Sequence, residues 1–159
     1  MHCTMRAMRH FSRSALVAAP PERLLALIAD VERYPEFVPW CVGSRILSRD
    51  GAALVACLDI RRGMLRTSFT TRNAPDGDEA ITMELVDGPF RSLHGRWSVE
   101  LIRDPAGAAL GSRVTLTMRF ELANALTAAL LEPLFEETVA SLVEAFVARA
   151  RATQTQERD

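Results

Sequence analysis

Two groups of side chains in this sequence have types and spacing that suit chemistry. Trp40, Phe69, Met83, Leu85, Phe90, Trp97, Met118, Phe120 and Phe135 are aromatic or flexible apolar residues, the material of a wall around an apolar ligand. Taken singly, each is ordinary core; as a set they could line a cavity. Arg61, Arg62, Arg66 and Arg72 surround one glycine, Gly63, and clustered guanidinium forks match the oxygens of phosphates. A solvated polar face is the plainer reading of the same four.

Catalysis finds less support. The chain has no Gly-x-Ser-x-Gly, no His-Glu-x-x-His, no Gly-x-Gly-x-x-Gly and no phosphate-binding glycine loop. His94 and the carboxylates Asp59 and Glu84 remain as acid–base candidates, but alternation along their strands puts all three on a wet face, where such groups are common. The three cysteines, Cys3, Cys41 and Cys57, show no zinc spacing and read as reduced thiols. The expectation is a non-enzymatic binding protein with no metal and no obligatory cofactor.

Elements must position these residues, and 159 residues at 48% hydrophobic and 25% charged suit a single domain. Its expected limits are 9–152, with flexible termini at 1–8 and 153–159. No apolar run approaches the roughly 20 residues of a membrane span. The net charge of −1 hides an asymmetry: residues 1–72 hold 11 Arg against 6 acids (+5), and residues 73–159 hold 8 against 14 (−6). This leaves room for a basic face, without the blanket charge of a dedicated nucleic-acid binder, and no DNA partner is expected. All 19 basic residues are Arg, a usage that fits a GC-rich bacterial genome, and the expected location is the bacterial cytoplasm.

A strand over 9–18 is stopped by Pro20 and Pro21, and a proline at the first helical position suits a helix through Ala29. Asp30 is placed to cap a second short helical turn, Val31 to Phe37, which Pro35 and Pro39 end. From 42 to 122 the apolar period becomes two. Leu54, Ala56, Leu58 and Ile60 oppose Cys57, Asp59 and Arg61; Leu65, Thr67 and Phe69 oppose Arg66, Ser68, Thr70 and Arg72. Ile81, Met83 and Leu85 oppose Thr82 and Glu84; Leu93, Trp97, Val99 and Leu101 oppose His94, Arg96, Ser98 and Glu100. Val114, Leu116, Met118 and Phe120 oppose Arg113, Thr115, Thr117, Arg119 and Glu121. Turn chemistry separates these runs at Asp50-Gly51, Gly63, Pro75-Asp76-Gly77, Asp87-Gly88-Pro89 and Asp104 to Gly107.

Such a sheet has one apolar face to cover. Asn124 is placed to cap a long amphipathic helix running to about Ala152, with Glu132, Glu136 and Glu137 early and Arg149 and Arg151 late, as the helix dipole favours. Pro133 should kink this helix or mark a late start. The fold class is α+β: a curved antiparallel sheet of about seven strands wrapped around a long C-terminal helix, with two short helices between strands one and two.

Several strings carry a family likeness: Ser14-Ala15-Leu16-Val17, Val31-Glu32-Arg33-Tyr34-Pro35-Glu36-Phe37-Val38-Pro39-Trp40-Cys41, Gly43-Ser44-Arg45-Ile46-Leu47 and Phe69-Thr70-Thr71-Arg72-Asn73. To these add Leu85-Val86-Asp87-Gly88-Pro89-Phe90-Arg91-Ser92-Leu93, Phe120-Glu121-Leu122 and Val143-Glu144-Ala145-Phe146-Val147-Ala148-Arg149-Ala150. Over 9–152 the chain resembles the bacterial RatA family of ribosome-association toxins. That family is similar to mitochondrial coenzyme Q-binding proteins and lies in the START-like, polyketide-cyclase-like superfamily. The resemblance implies a helix-grip fold. It leaves only about eight residues before the family's first strand, too few for a transit peptide.

The resemblance implies roles of different class. One is non-enzymatic binding of a ubiquinone or other polyprenyl quinone in the helix-grip cavity, supporting respiration, with the nine apolar residues above as its lining. Exchange of that lipid would bring the protein to the membrane surface. The alternative is a type II toxin that binds the large ribosomal subunit and blocks subunit association, with Arg61, Arg62, Arg66 and Arg72 on RNA phosphates and a small ubiquitin-like antitoxin as partner. An aromatase/cyclase-type enzyme follows only from the superfamily name.

Overall fold

A computed structural model describes the backbone of residues 8–158, and side chains throughout except at 65, 125–134 and 153–158. Apart from Met8, the N-terminal segment expected to be flexible lies outside the described residues, as does Asp159.

Strand β1 (Arg9–Val17) ends before the two prolines, and helix α1 (Pro21–Ala29) starts on the second of them. Pro suits this position because the first helical N–H has no partner to lose. A 3₁₀ turn, Val31–Glu36, follows. Six strands come next: β2 (Cys41–Asp50), β3 (Ala53–Arg62), β4 (Leu65–Pro75), β5 (Ala80–Asp87), β6 (Phe90–Arg103) and β7 (Ala109–Leu122). Helix α2 (Ala125–Arg158) closes the chain. One antiparallel sheet has the order β1-β7-β6-β5-β4-β3-β2, so the first two strands in sequence form its opposite edges.

The expected architecture is present, seven strands and two short helical segments included. The alternating residues of the central strands point inward as their period requires: Leu93, Trp97, Val99, Val114, Leu116, Met118 and Phe120 are all buried. Helix α2 packs on β1, β7 and α1, and α1 lies across β5 to β7. The C-terminal part of α2 is pinned by Arg149, whose guanidinium reaches Glu36 at 2.9 Å and lies 5.3 Å from the Phe37 ring centre.

Four local expectations are corrected. Asp30 precedes the 3₁₀ turn, but its carboxylate makes no cap bond and instead meets Arg33 at 3.1 Å. Cys57 stands on the outer face yet is buried, because Arg45 lies over it with Nη2 donating to Sγ at 3.5 Å. Thr70 and Thr71 are both buried, since a register shift between them breaks the period of two. Helix α2 begins at Ala125, is continuous through Pro133 and extends past Ala152. Glu132 therefore lies two turns in, and Arg149 and Arg151 precede the last turn, where the dipole they were expected to answer has faded.

Candidate ligand-binding site

The inner face of the sheet is buried at one end and partly exposed at the other. At the buried end the ring of Trp97 lies 4.9 Å from that of Phe146, which meets Tyr34 and Phe37 edge-on at 5.1 Å each. Tyr34 is buried and its hydroxyl donates to the carbonyl of Ile28. Burial, with Cys41 and Asp30 nearby, drives its phenol far above the ordinary range. Trp97, 1% exposed, is thus set in closed core.

At the other end Phe120 and Phe135 have ring centres 4.2 Å apart, Phe90 stands 5.1 Å from Phe135 and 6.2 Å from Phe120, and Phe69 lies 6.3 Å from Phe90. The contacts are edge-on or tilted, the geometry that aromatic quadrupoles favour. Four strings far apart in sequence, on β4, β6, β7 and α2, are brought together here. Phe69, Met83, Leu85, Phe90 and Phe135 face inward against the core yet are only partly buried. A protein interior is close-packed, so inward side chains that solvent still reaches mark this end as the exposed margin of the core.

Two glycines shape this margin. A Cβ at Gly88 would lie 2.8 Å from Cβ of Phe69 and 3.4 Å from Leu85 Cδ1, so the β5–β6 turn rests on the rim because it carries no side chain there. Gly95, on β6, leaves room for Met83 and Met118, whose Cε atoms would lie 2.7 and 3.7 Å from an added Cβ. Neither glycine was expected at the site. Gly88 stands in the Asp87-Gly88-Pro89-Phe90 string, the one signal by which it could have been found.

Trp40 enters the core immediately before β2, and its carbonyl accepts the N–H of Arg61 at 2.9 Å. The next residue of β3, Arg62, reaches Glu137 of α2 at 3.4 Å, two residues along the helix from Phe135. The Nε1 of Trp40 is buried with no hydrogen-bond partner. An unsatisfied buried donor costs about 1–3 kcal/mol, and an acceptor on a bound ligand would remove that cost.

The four arginines are divided. Arg61 and Arg66 are register partners on β3 and β4, both exposed and on one face. Arg62 points the other way, to Glu137. Arg72 stands opposite Val55 and Glu84, six residues along β4 from Arg66 and so about 20 Å from it at the rise of a strand. His94 lies on the outer face, Nδ1 3.6 Å from Glu84, where alternation placed it. No helix among the described residues is long and apolar enough to cross a membrane.

Residues 17–147 match the family described as polyketide cyclase/dehydrase and lipid transport. The ribosome association toxin RatA of Pseudomonas aeruginosa is 39% identical over 142 residues, covering 89% of this chain and 95% of that protein. The mitochondrial coenzyme Q-binding protein coq10 of Schizosaccharomyces pombe is 29% identical over 157 residues, covering 94% and 91%. Among solved structures, the Zhui aromatase/cyclase of Streptomyces sp. R1128 superposes with a TM-score of 0.79 at 20% identity, covering 91% of this chain and 94% of that one. The aromatic-lined grip and the matching family agree, and the chain belongs to the polyketide cyclase/dehydrase and lipid-transport family, on its RatA branch.

Proposed function

We propose that the partly exposed end of the grip binds a polyprenyl quinone of the ubiquinone type and does no chemistry on it. The carrying observation is the partly exposed aromatic wall of Phe69, Phe90 and Phe135, inward-facing beside an otherwise closed core. A quinone fits such a wall on three counts. Its flat ring suits aromatic edges, its isoprenoid tail suits Met83 and Leu85, and a ring carbonyl that reached the buried indole N–H of Trp40 would supply the acceptor it lacks. The name of the fission-yeast relative, a coenzyme Q-binding protein, supports the same ligand class.

The name of the Pseudomonas relative supports a second reading, association with ribosomes. Sedimentation of ribosomal subunits with and without added protein tests it. An antitoxin partner belongs with that reading. The likeness to the Zhui cyclase is one of fold.

The deciding experiment is native mass spectrometry of protein purified from its own cells without detergent, followed by organic extraction of what it carries. A quinone at one per chain is the expected result. Protein that arrives empty and takes up no added quinone overturns the proposal.

A further inference from the structure

The β3–β4 hairpin ends in a tip that Arg62 ties to Glu137 of α2, yet two of its arginine side chains have no such intramolecular partner among the described residues. Beyond Ile60, which pairs with Cys41, and Thr70, which pairs with Asp87, β3 and β4 have no further strand partners on either side. The tip therefore projects past the sheet. At its apex, in the turn after Gly63, Met64 is 100% exposed. On its stem Arg61 and Arg66 sit directly across from one another, with neither in an ion pair among the described residues. Like charges in directly opposed positions repel, and a shared anion removes that repulsion.

The space for one is present. A cleft of about 410 Å³ is lined by both arginines, by Ser68, which alternation puts on their face, by Thr67 and by Val42, itself 57% exposed. Asp59 also borders it, but this carboxylate is held by Arg45 at 3.7 Å. Two guanidinium groups and the Ser68 hydroxyl suit a phosphate. The exposed apolar groups then choose its source. Along a nucleic-acid backbone Met64 and Val42 would meet mainly phosphate and sugar, whereas a bilayer offers acyl chains directly beneath its phosphates.

We infer that the β3–β4 hairpin docks the protein on an anionic phospholipid surface, with Arg61 and Arg66 on a headgroup phosphate and Met64 inserted among the upper acyl carbons. For its purpose this rests on the quinone reading: Phe69, on the rim of the grip, lies three residues along β4 from Arg66, so docking would set the partly exposed end against the membrane that stores the ligand. The geometry of the tip stands without it.

The test is flotation of the full chain with vesicles of phosphatidylcholine, with and without phosphatidylglycerol and free of quinone. Binding is expected only to the anionic vesicles, and to weaken as salt rises. Arg61→Gln with Arg66→Gln should weaken it roughly thirty-fold, at about fivefold for each charge, while raising Tm by relieving the repulsion. Met64→Ser should weaken it without changing the salt dependence. Equal binding to neutral vesicles, or variants that bind like the parent, overturns the docking. So does loss of ribosome sedimentation in the arginine variant when no vesicle is bound by either protein, which gives the pair to RNA. Quinone content, measured separately on the same preparations, reports on the ligand reading alone.

Discussion

Trp40 separates binding from stability at the level of one atom. Replacing Trp40 with Phe removes Nε1 but keeps an aromatic ring in the core. Removing a donor with no partner in the protein relieves its cost while the smaller ring leaves a void, so the empty variant should stay close to the parent in stability, while quinone affinity falls about three- to tenfold for one lost hydrogen bond. A titration followed by fluorescence, beside urea unfolding of the empty protein, checks both halves; equal affinity removes Trp40 from the site. Tyr34 and Cys41 make an alkaline prediction. Burial raises the Cys41 thiol from 9.0 to about 11 and raises the Tyr34 phenol further, so the fold favours the neutral form of each. The unfolded chain ionises at ordinary values, hence stability is complete below about pH 9 and drains away as pH rises towards 11. The urea midpoint should decline over that window, and less steeply in Cys41→Ala. Alternation made the inward set legible from Phe69 to Phe120, because facing is a property of a strand alone. It could not show that Trp97 would meet Phe146 or that Arg72 would stand away from Arg66. Those depend on strand register and on a helix far along the chain.

Among the elements, the junction of β1 and β7 is the least forgiving. Gly111 has φ +145°, and a Cβ there would meet the Val17 carbonyl oxygen at 2.4 Å and Ala18 Cα at 3.0 Å. Backbone atoms cannot turn aside, so Gly111→Ala should cost about 2 kcal/mol or more, read from urea unfolding. Gly95→Ala is the control, since its new methyl meets the mobile end of Met83 and should cost less while narrowing the site. An equal cost for the two would mean that the end of β1 yields as readily as a methionine. The strands themselves were readable from period and turn residues, and α2 from its apolar spacing. The shifts between Cys41 and Gly43, Ile46 and Ser48, and Thr70 and Thr71 were not. A bulge is settled by the partner strand, and nothing in the local pattern announces it. Nor did the pattern show that α2 would be held from outside its own turns, by Arg13 to Glu144 at 3.2 Å and by Arg149 to Glu36.

At the scale of the molecule, the helix-grip arrangement follows from one apolar sheet face and one apolar helix, and both could be read in the residues. The division into a buried end and a partly exposed end could not, because periodicity reports which way a side chain faces and nothing about how far away its neighbour stands. The pairing of β1 with β7, Arg9 opposite Phe120 through Val17 opposite Ser112, has a consequence for how this chain is made. The strand translated first finds its partner only after roughly ninety further residues have been added. Until then it is an unpaired edge, while β2 to β6 can assemble as successive hairpins behind it. Synthesis interrupted before Ala109 leaves a meander covered only by α1 and a first strand with no neighbour, and the last third of the chain supplies the partner and the remaining cover at once.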